Sequence, residues 1–157
     1  MNRVLFHSLT IPPDQVSTGK LVADIASLPV ADQVPVRGVP LGQRIIKWCP
    51  ISPHTLYWVE ALDNGDPMLK APYRDRILFL EAPYNTSPKE VFKAEHRIYG
   101  YTWFEEGGLI MVKQSDRMRR MRSAWIVNVD KNTSRKWYEM DEADRYADPG
   151  YPLHRQL

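Results

Sequence analysis

The chain has little of several things, and each shortage excludes something. It holds one cysteine, Cys49, in 157 residues. One thiol makes no internal disulfide and no multi-cysteine zinc site. No apolar run approaches the roughly 20 residues that a membrane-spanning helix needs. The start, Met1-Asn2-Arg3-Val4-Leu5-Phe6-His7, has only a three-residue apolar run and does not read as a signal peptide. Neither sign of charge dominates: 21 basic residues face 19 acidic ones, for a net charge of +2. Such a balance implies neither a nucleic acid nor an anionic membrane as partner.

Proline, in contrast, is plentiful, at 13 residues, about 8% against a usual figure near 5%. Proline breaks helix interiors, so a helical bundle is not expected. With aromatics at 11%, the composition points to short strands joined by many turns. The 157-residue length fits one domain with a core of its own.

A pass along the chain supports this. Arg3–Leu9 and Lys20–Ile25 are candidate strands, the second also compatible with helical spacing. From residue 43 the pattern sharpens. Strands are expected at Arg44–Trp48, Thr55–Glu60, Asp75–Glu81 and Lys89–Lys93, then at Arg97–Phe104, Leu109–Lys113, Ser123–Val129 and Arg135–Glu139. Turn residues separate them, including Asp63-Asn64-Gly65-Asp66 and Asn85-Thr86-Ser87-Pro88. Ser87-Pro88-Lys89-Glu90 also reads as a helix capping box.

The eight strands form an internal repeat. Trp48 and Trp103 lie 55 residues apart, and Asn85-Thr86-Ser87 returns as Asn132-Thr133-Ser134 after 47. The repeat favours a strand over a helix at Lys89–Lys93, because its partner segment at Arg135–Glu139 is strand-like. Four short strands per unit is the grammar of a β-propeller blade. A weaker third copy is read in Leu21–Val36. The expected fold is therefore all-β: a partial β-propeller of two to three four-stranded antiparallel blades. Residues 1–41 form a partial blade, 42–95 and 96–142 form blades, and 143–157 start the next connection. Propellers need at least about four blades, so the chain reads as a fragment of one propeller domain.

The wording of the chain is also specific. Leu28-Pro29-Val30-Ala31-Asp32-Gln33-Val34-Pro35-Val36 is followed by Trp48 and by Thr55-Leu56-Tyr57-Trp58-Val59-Glu60-Ala61-Leu62-Asp63-Asn64-Gly65-Asp66-Pro67. Arg74-Asp75, Ala82-Pro83, the Arg119/Arg120/Arg122 cluster before Trp125, and Asp144-Arg145-Tyr146-Ala147-Asp148-Pro149-Gly150 come next. In this order they resemble the propeller of glutamyl-endopeptidase-like serine peptidases of the prolyl oligopeptidase family. The resemblance implies a hydrolase whose catalytic α/β-hydrolase domain lies outside this segment. It implies a periplasmic or secreted bacterial location, and no cofactor. Its partners would be that hydrolase domain, the remaining blades and the peptide substrate. The nucleophile of such enzymes sits in a G-x-S-x-G elbow. None of the chain's serines has those flanking glycines, so no catalytic residue is assigned. The segment would shape and restrict peptide access.

Among individual residues, Arg117, Arg119, Arg120 and Arg122 stand out. Guanidinium groups bind carboxylates in a bidentate manner, so Arg119, Arg120 and Arg122 are the candidates for attracting acidic peptide. The plain alternative is a solvated strand edge. With Trp103, Trp125 and Trp137 the cluster also permits a nucleic-acid surface, against which stand the acids Glu139, Asp141, Glu142, Asp144 and Asp148. His7, His54, His96 and His154 have no metal-ligand spacing. Asp63-Asn64-Gly65-Asp66 lacks the spacing of a calcium loop and reads as an Asn-Gly turn. Asn85-Thr86-Ser87 and Asn132-Thr133-Ser134 match the glycosylation pattern, and turn chemistry explains both. Trp48, Trp58, Trp103 and Trp125 are expected to pack between blades. Exposed blade faces would favour self-association. The reading from a different class is a stand-alone β-rich protein-interaction module.

Overall fold

Runs of β-branched and aromatic residues bounded by turn residues form the sheets of this chain. A computed structural model of the protein describes residues 2–4, 23, 25–28, 34–52, 54–105, 108–150 and 152. Among these there is no helix. Ten strands occur: β1 (Asn2–Val4), β2 (Ala26–Leu28), β3 (Arg44–Trp48), β4 (Thr55–Ala61), β5 (Asp75–Glu81), β6 (Lys89–Ala94), β7 (Arg97–Trp103), β8 (Leu109–Asp116), β9 (Met121–Asn128) and β10 (Thr133–Asp141). The chain divides into a first unit, Met1–His96, and a second, Arg97–Leu157.

In the first unit, β1 and β2 pair antiparallel. The strand β2 begins at Ala26; most of the expected strand Lys20–Ile25, the remainder of Arg3–Leu9 and much of the third repeat copy lie outside the described residues. The main sheet has the order β3-β4-β5-β6, every pair antiparallel. The second unit's sheet has the order β7-β8-β9-β10, again antiparallel throughout. Each sheet is thus a meander in which sequence neighbours are spatial neighbours. The capping-box signal at Ser87-Pro88-Lys89-Glu90 loses to pairing: Lys89–Ala94 is strand β6, with Val91 and Phe92 buried.

All four outer strands carry one extra residue. The register slips between Arg44 and Lys47 in β3, at Val91 in β6, at Tyr99 in β7 and at Trp137 in β10. Such bulges raise local twist and blunt a sheet edge.

The core of the first unit is built on cross-strand pairs. Leu56 faces Leu80 and Trp58 faces Leu78. These four are buried, and Ile25, Ile46, Trp48 and Tyr84 pack on them. Trp48 meets Tyr84 edge-on, with ring centroids 6.4 Å apart. Trp58 Nε1 donates to Glu60 Oε1 at 2.8 Å, and Glu60 Oε2 accepts from Arg76 on β5 at 2.8 Å. Arg76 also lies 3.7 Å from Glu90, and Lys93 lies 3.2 Å from the same carboxylate. In the second unit Ile110, Met111, Val112, Ala124 and Val127 form the buried centre.

The Asn-Gly turn is present, but not as a direct hairpin. Residues 62–74 connect β4 to β5, and the tight turn sits inside that connection. Asn64 and Gly65 both have positive φ, 53° and 71°, and Asp66 N–H donates to Asp63 O at 3.0 Å. Gly65 O accepts from Val39 N–H at 3.0 Å. A Cβ at Gly65 would strike the carbonyl oxygen of Val39. Gly65→Ala therefore meets both an unfavourable φ and a backbone clash. We expect it to cost about 1–2 kcal/mol or more, read as a lower urea midpoint and faster hydrogen exchange at the Val39 amide.

Candidate functional site

The arginine cluster divides between a turn and a strand. Arg117, Arg119 and Arg120 lie in the four-residue turn between β8 and β9, and all three are exposed. Their side chains are therefore not ordered by strand alternation. Asp116 folds this turn: its Oδ1 accepts from Met118 N–H at 2.9 Å and Arg119 N–H at 3.2 Å. Arg119 Nε stands 3.6 Å from Asp116 Oδ2. Arg120 has φ 57°, and its carbonyl accepts from Glu142 N–H at 2.7 Å. Arg122 is already in β9 and pairs through Nε with Glu142 Oε1 at 2.9 Å. The acidic stretch after β10 thus answers part of the cluster locally.

The nucleic-acid surface does not assemble from the tryptophans as a set. Trp103 and Trp125 are half-buried and only Trp137 is exposed. The Lys136 ammonium sits 5.5 Å from the centre of the Trp125 ring. Lys136 also pairs with Glu139.

The carboxylates of the Asp63–Asp66 turn are engaged by the turn's own amides and by Arg74. Asp63 Oδ2 accepts from Arg74 at 2.7 Å, and its Oδ1 accepts from Gly65 N–H at 3.1 Å. Asp66 Oδ1 accepts from Met68 N–H at 2.8 Å. Arg74 further donates to the carbonyl of Leu69 at 3.0 Å. Beside this knot, Arg44 on β3 reaches past β4 to Asp75 on β5 at 2.7 Å. Two arginine–aspartate pairs therefore clamp one end of the first sheet. Among the described residues no three His, Cys, Asp or Glu side chains are grouped to hold a metal ion. Cys49 is buried. Asn85-Thr86-Ser87 is exposed in the connection between β5 and β6; Asn132 is exposed in the turn before β10, and Thr133 and Ser134, also exposed, are already the first residues of that strand. His7 and His154 lie outside the described residues.

What alternation did not reveal is a cleft within the second unit. Tyr99, Lys113, Arg122, Trp137, Asp148 and Pro152 line it. Arg122 is thus the member of the sequence-derived cluster that reaches a concave surface. Tyr99 and Trp137 enter it from bulges, and a bulge is invisible to a strict two-residue period. The signal available was compositional: aromatic residues at exposed outer-strand positions beside cations.

No protein-family model matches the chain, and no solved structure matches it. Among curated proteins, it is similar to a probable chloroplastic glutamyl endopeptidase of Oryza sativa subsp. japonica, with 32% identity over 145 residues. That stretch is 88% of this chain and 15% of the rice protein. The chain is thus similar to a short segment of a peptidase-like protein, and its own described residues are all-β.

Proposed function

We propose that the chain is a non-catalytic segment of a β-propeller in a glutamyl-endopeptidase-like serine peptidase. In this reading residues 42–95 and 96–142 are two blades, 1–41 is part of another, and 143–157 lead into the next. The propeller would restrict which peptides reach a separate α/β-hydrolase domain. One observation carries the reading: the ordered 32% identity over 145 residues to a protein named as a glutamyl endopeptidase. Two successive four-stranded meanders support it, since that is how propeller blades are built. The lack of a G-x-S-x-G elbow is consistent with chemistry supplied elsewhere.

The test is to read the gene on both sides of this segment and assay its full product. The expected result is an open frame running into G-x-S-x-G, then Asp and His. The full product should cleave a peptide with glutamate before a chromogenic leaving group, and a serine-directed inhibitor should stop it. The 157-residue chain alone should give no turnover. A frame bounded by Met1 and Leu157, or inhibitor-sensitive turnover by the isolated chain, would overturn the proposal.

A further inference from the structure

The Asn64-Gly65 step of the first unit holds a reactive pair in a guarded place. Asn2, Asn85, Asn128 and Asn132 precede Arg3, Thr86, Val129 and Thr133; Asn64 alone precedes a glycine. An asparagine side-chain amide is open to attack by the backbone nitrogen of the next residue. Glycine, with no Cβ, hinders that attack least. Asparagine is accordingly among the thermolabile residues. Asn64 is exposed, whereas Gly65 is buried.

The contacts of Gly65 oppose the attack. Its N–H donates to Asp63 Oδ1 at 3.1 Å, and Arg74 holds that carboxylate in place through Oδ2 at 2.7 Å. Its carbonyl accepts from Val39 N–H at 3.0 Å. Its Cα lies so near the Val39 carbonyl that a Cβ does not fit between them. Asn64 is held at φ 53°, and Asp66 N–H closes the turn on Asp63 O at 3.0 Å. Bringing the Gly65 nitrogen onto the Asn64 side chain means rotating the peptide between the two residues. These bonds resist that rotation while the turn is intact.

We infer that Asn64 is a deamidation site that the folded turn holds shut and that local opening of residues 62–74 releases. On opening, the Gly65 nitrogen gives its proton to solvent and bonds to Asn64 Cγ. The Cγ–Nδ2 bond breaks and ammonia leaves, which closes a succinimide ring. Water then opens the ring at either carbonyl, leaving aspartate or isoaspartate, and nothing is oxidised or reduced. Isoaspartate lengthens the main chain by one carbon, so the Asp63–Asp66 turn and its tie to Val39 do not close again as before. A transient local opening thereby becomes permanent. The site belongs to the chain itself and does not depend on the peptidase reading.

The test incubates the whole chain in mildly alkaline buffer, folded or in guanidinium chloride, and follows each asparagine by peptide mass spectrometry. In the unfolded chain Asn64 should convert at least tenfold faster than any other asparagine. In the folded chain it should convert at least tenfold more slowly than in the unfolded one. Below the unfolding midpoint its rate should rise with denaturant in step with hydrogen exchange at the Gly65 amide, because one opening frees both. Asp63→Ala removes the acceptor of that amide and should raise the folded rate at least threefold, with circular dichroism confirming the fold. The exchange comparison on the unaltered chain decides alone if this variant does not fold. A folded rate equal to the unfolded one, or a rate that does not follow exchange at Gly65, would rule the inference out. So would slower conversion in Asp63→Ala, since the carboxylate would then be acting as a base and not as a guard.

Discussion

Asp75→Asn and Arg44→Met are each expected to destabilise the chain by about 3–5 kcal/mol, the usual cost of breaking a buried ion pair from one side. Asp75 is wholly buried, and the Arg44 side chain is 11% exposed. Asp75 has no water to fall back on, and Arg44 has little. Their 2.7 Å contact joins β3 to β5 across the intervening β4. Removing either partner leaves the other's charge poorly compensated in a poor dielectric. The double replacement Arg44→Met/Asp75→Leu removes both charges and fills the space with apolar atoms. It should recover most of the loss, as such exchanges do elsewhere. Urea unfolding of the three variants checks this. Single variants within 1 kcal/mol of the parent chain would show that the pair is not holding this end of the sheet.

Trp58→Ala should cost a similar amount, about 3–5 kcal/mol. Trp58 is 2% exposed and sits in the middle of the Leu56–Leu80 and Trp58–Leu78 pairs. Truncation leaves a cavity under Ile25, Ile46, Trp48 and Tyr84, which pack on that cluster. Trp58→Phe separates packing from hydrogen bonding. It keeps an aromatic ring but removes the 2.8 Å bond to Glu60. Glu60 retains Arg76 as a partner and is 19% exposed, so the loss should be nearer 1–2 kcal/mol, combining a missing hydrogen bond with a smaller ring. Equal destabilisation by Ala and Phe would assign the effect to the hydrogen bond rather than to packing.

Strands were the most legible feature of the chain. From Arg44 onward each expected strand overlaps an observed one, because β-branched and aromatic residues bounded by turn residues leave little choice. Lys89–Ala94 is instructive. Local capping chemistry offered a helix there, and the repeat correctly weighed against it: Phe92 is wanted opposite Ile77. The candidate site was far less legible. Arg117, Arg119 and Arg120 fall between the expected strands Leu109–Lys113 and Ser123–Val129, and no local pattern there shows that Asp116 bonds the following amides and turns the chain. Tyr99 and Trp137 looked like ordinary strand aromatics. Their shared cleft depends on register slips that alternation cannot register, and on Asp148 and Pro152 folding back after the last strand. Likewise the Asp63–Arg74 pair spans a connection whose path no local pattern dictates.

The meander order has a kinetic meaning. Each strand of the two large sheets bonds to the strand just before or after it, and the longest connection between partners is the stretch 62–74. Closing such small loops costs little chain entropy, and proteins dominated by near-in-sequence contacts cross their folding barrier quickly for a β-architecture. Neither large sheet waits for a distant segment to arrive. During synthesis, β3 to β6 can zip into place while β7 to β10 are still being made, so the nascent chain spends little time with unpaired strand edges.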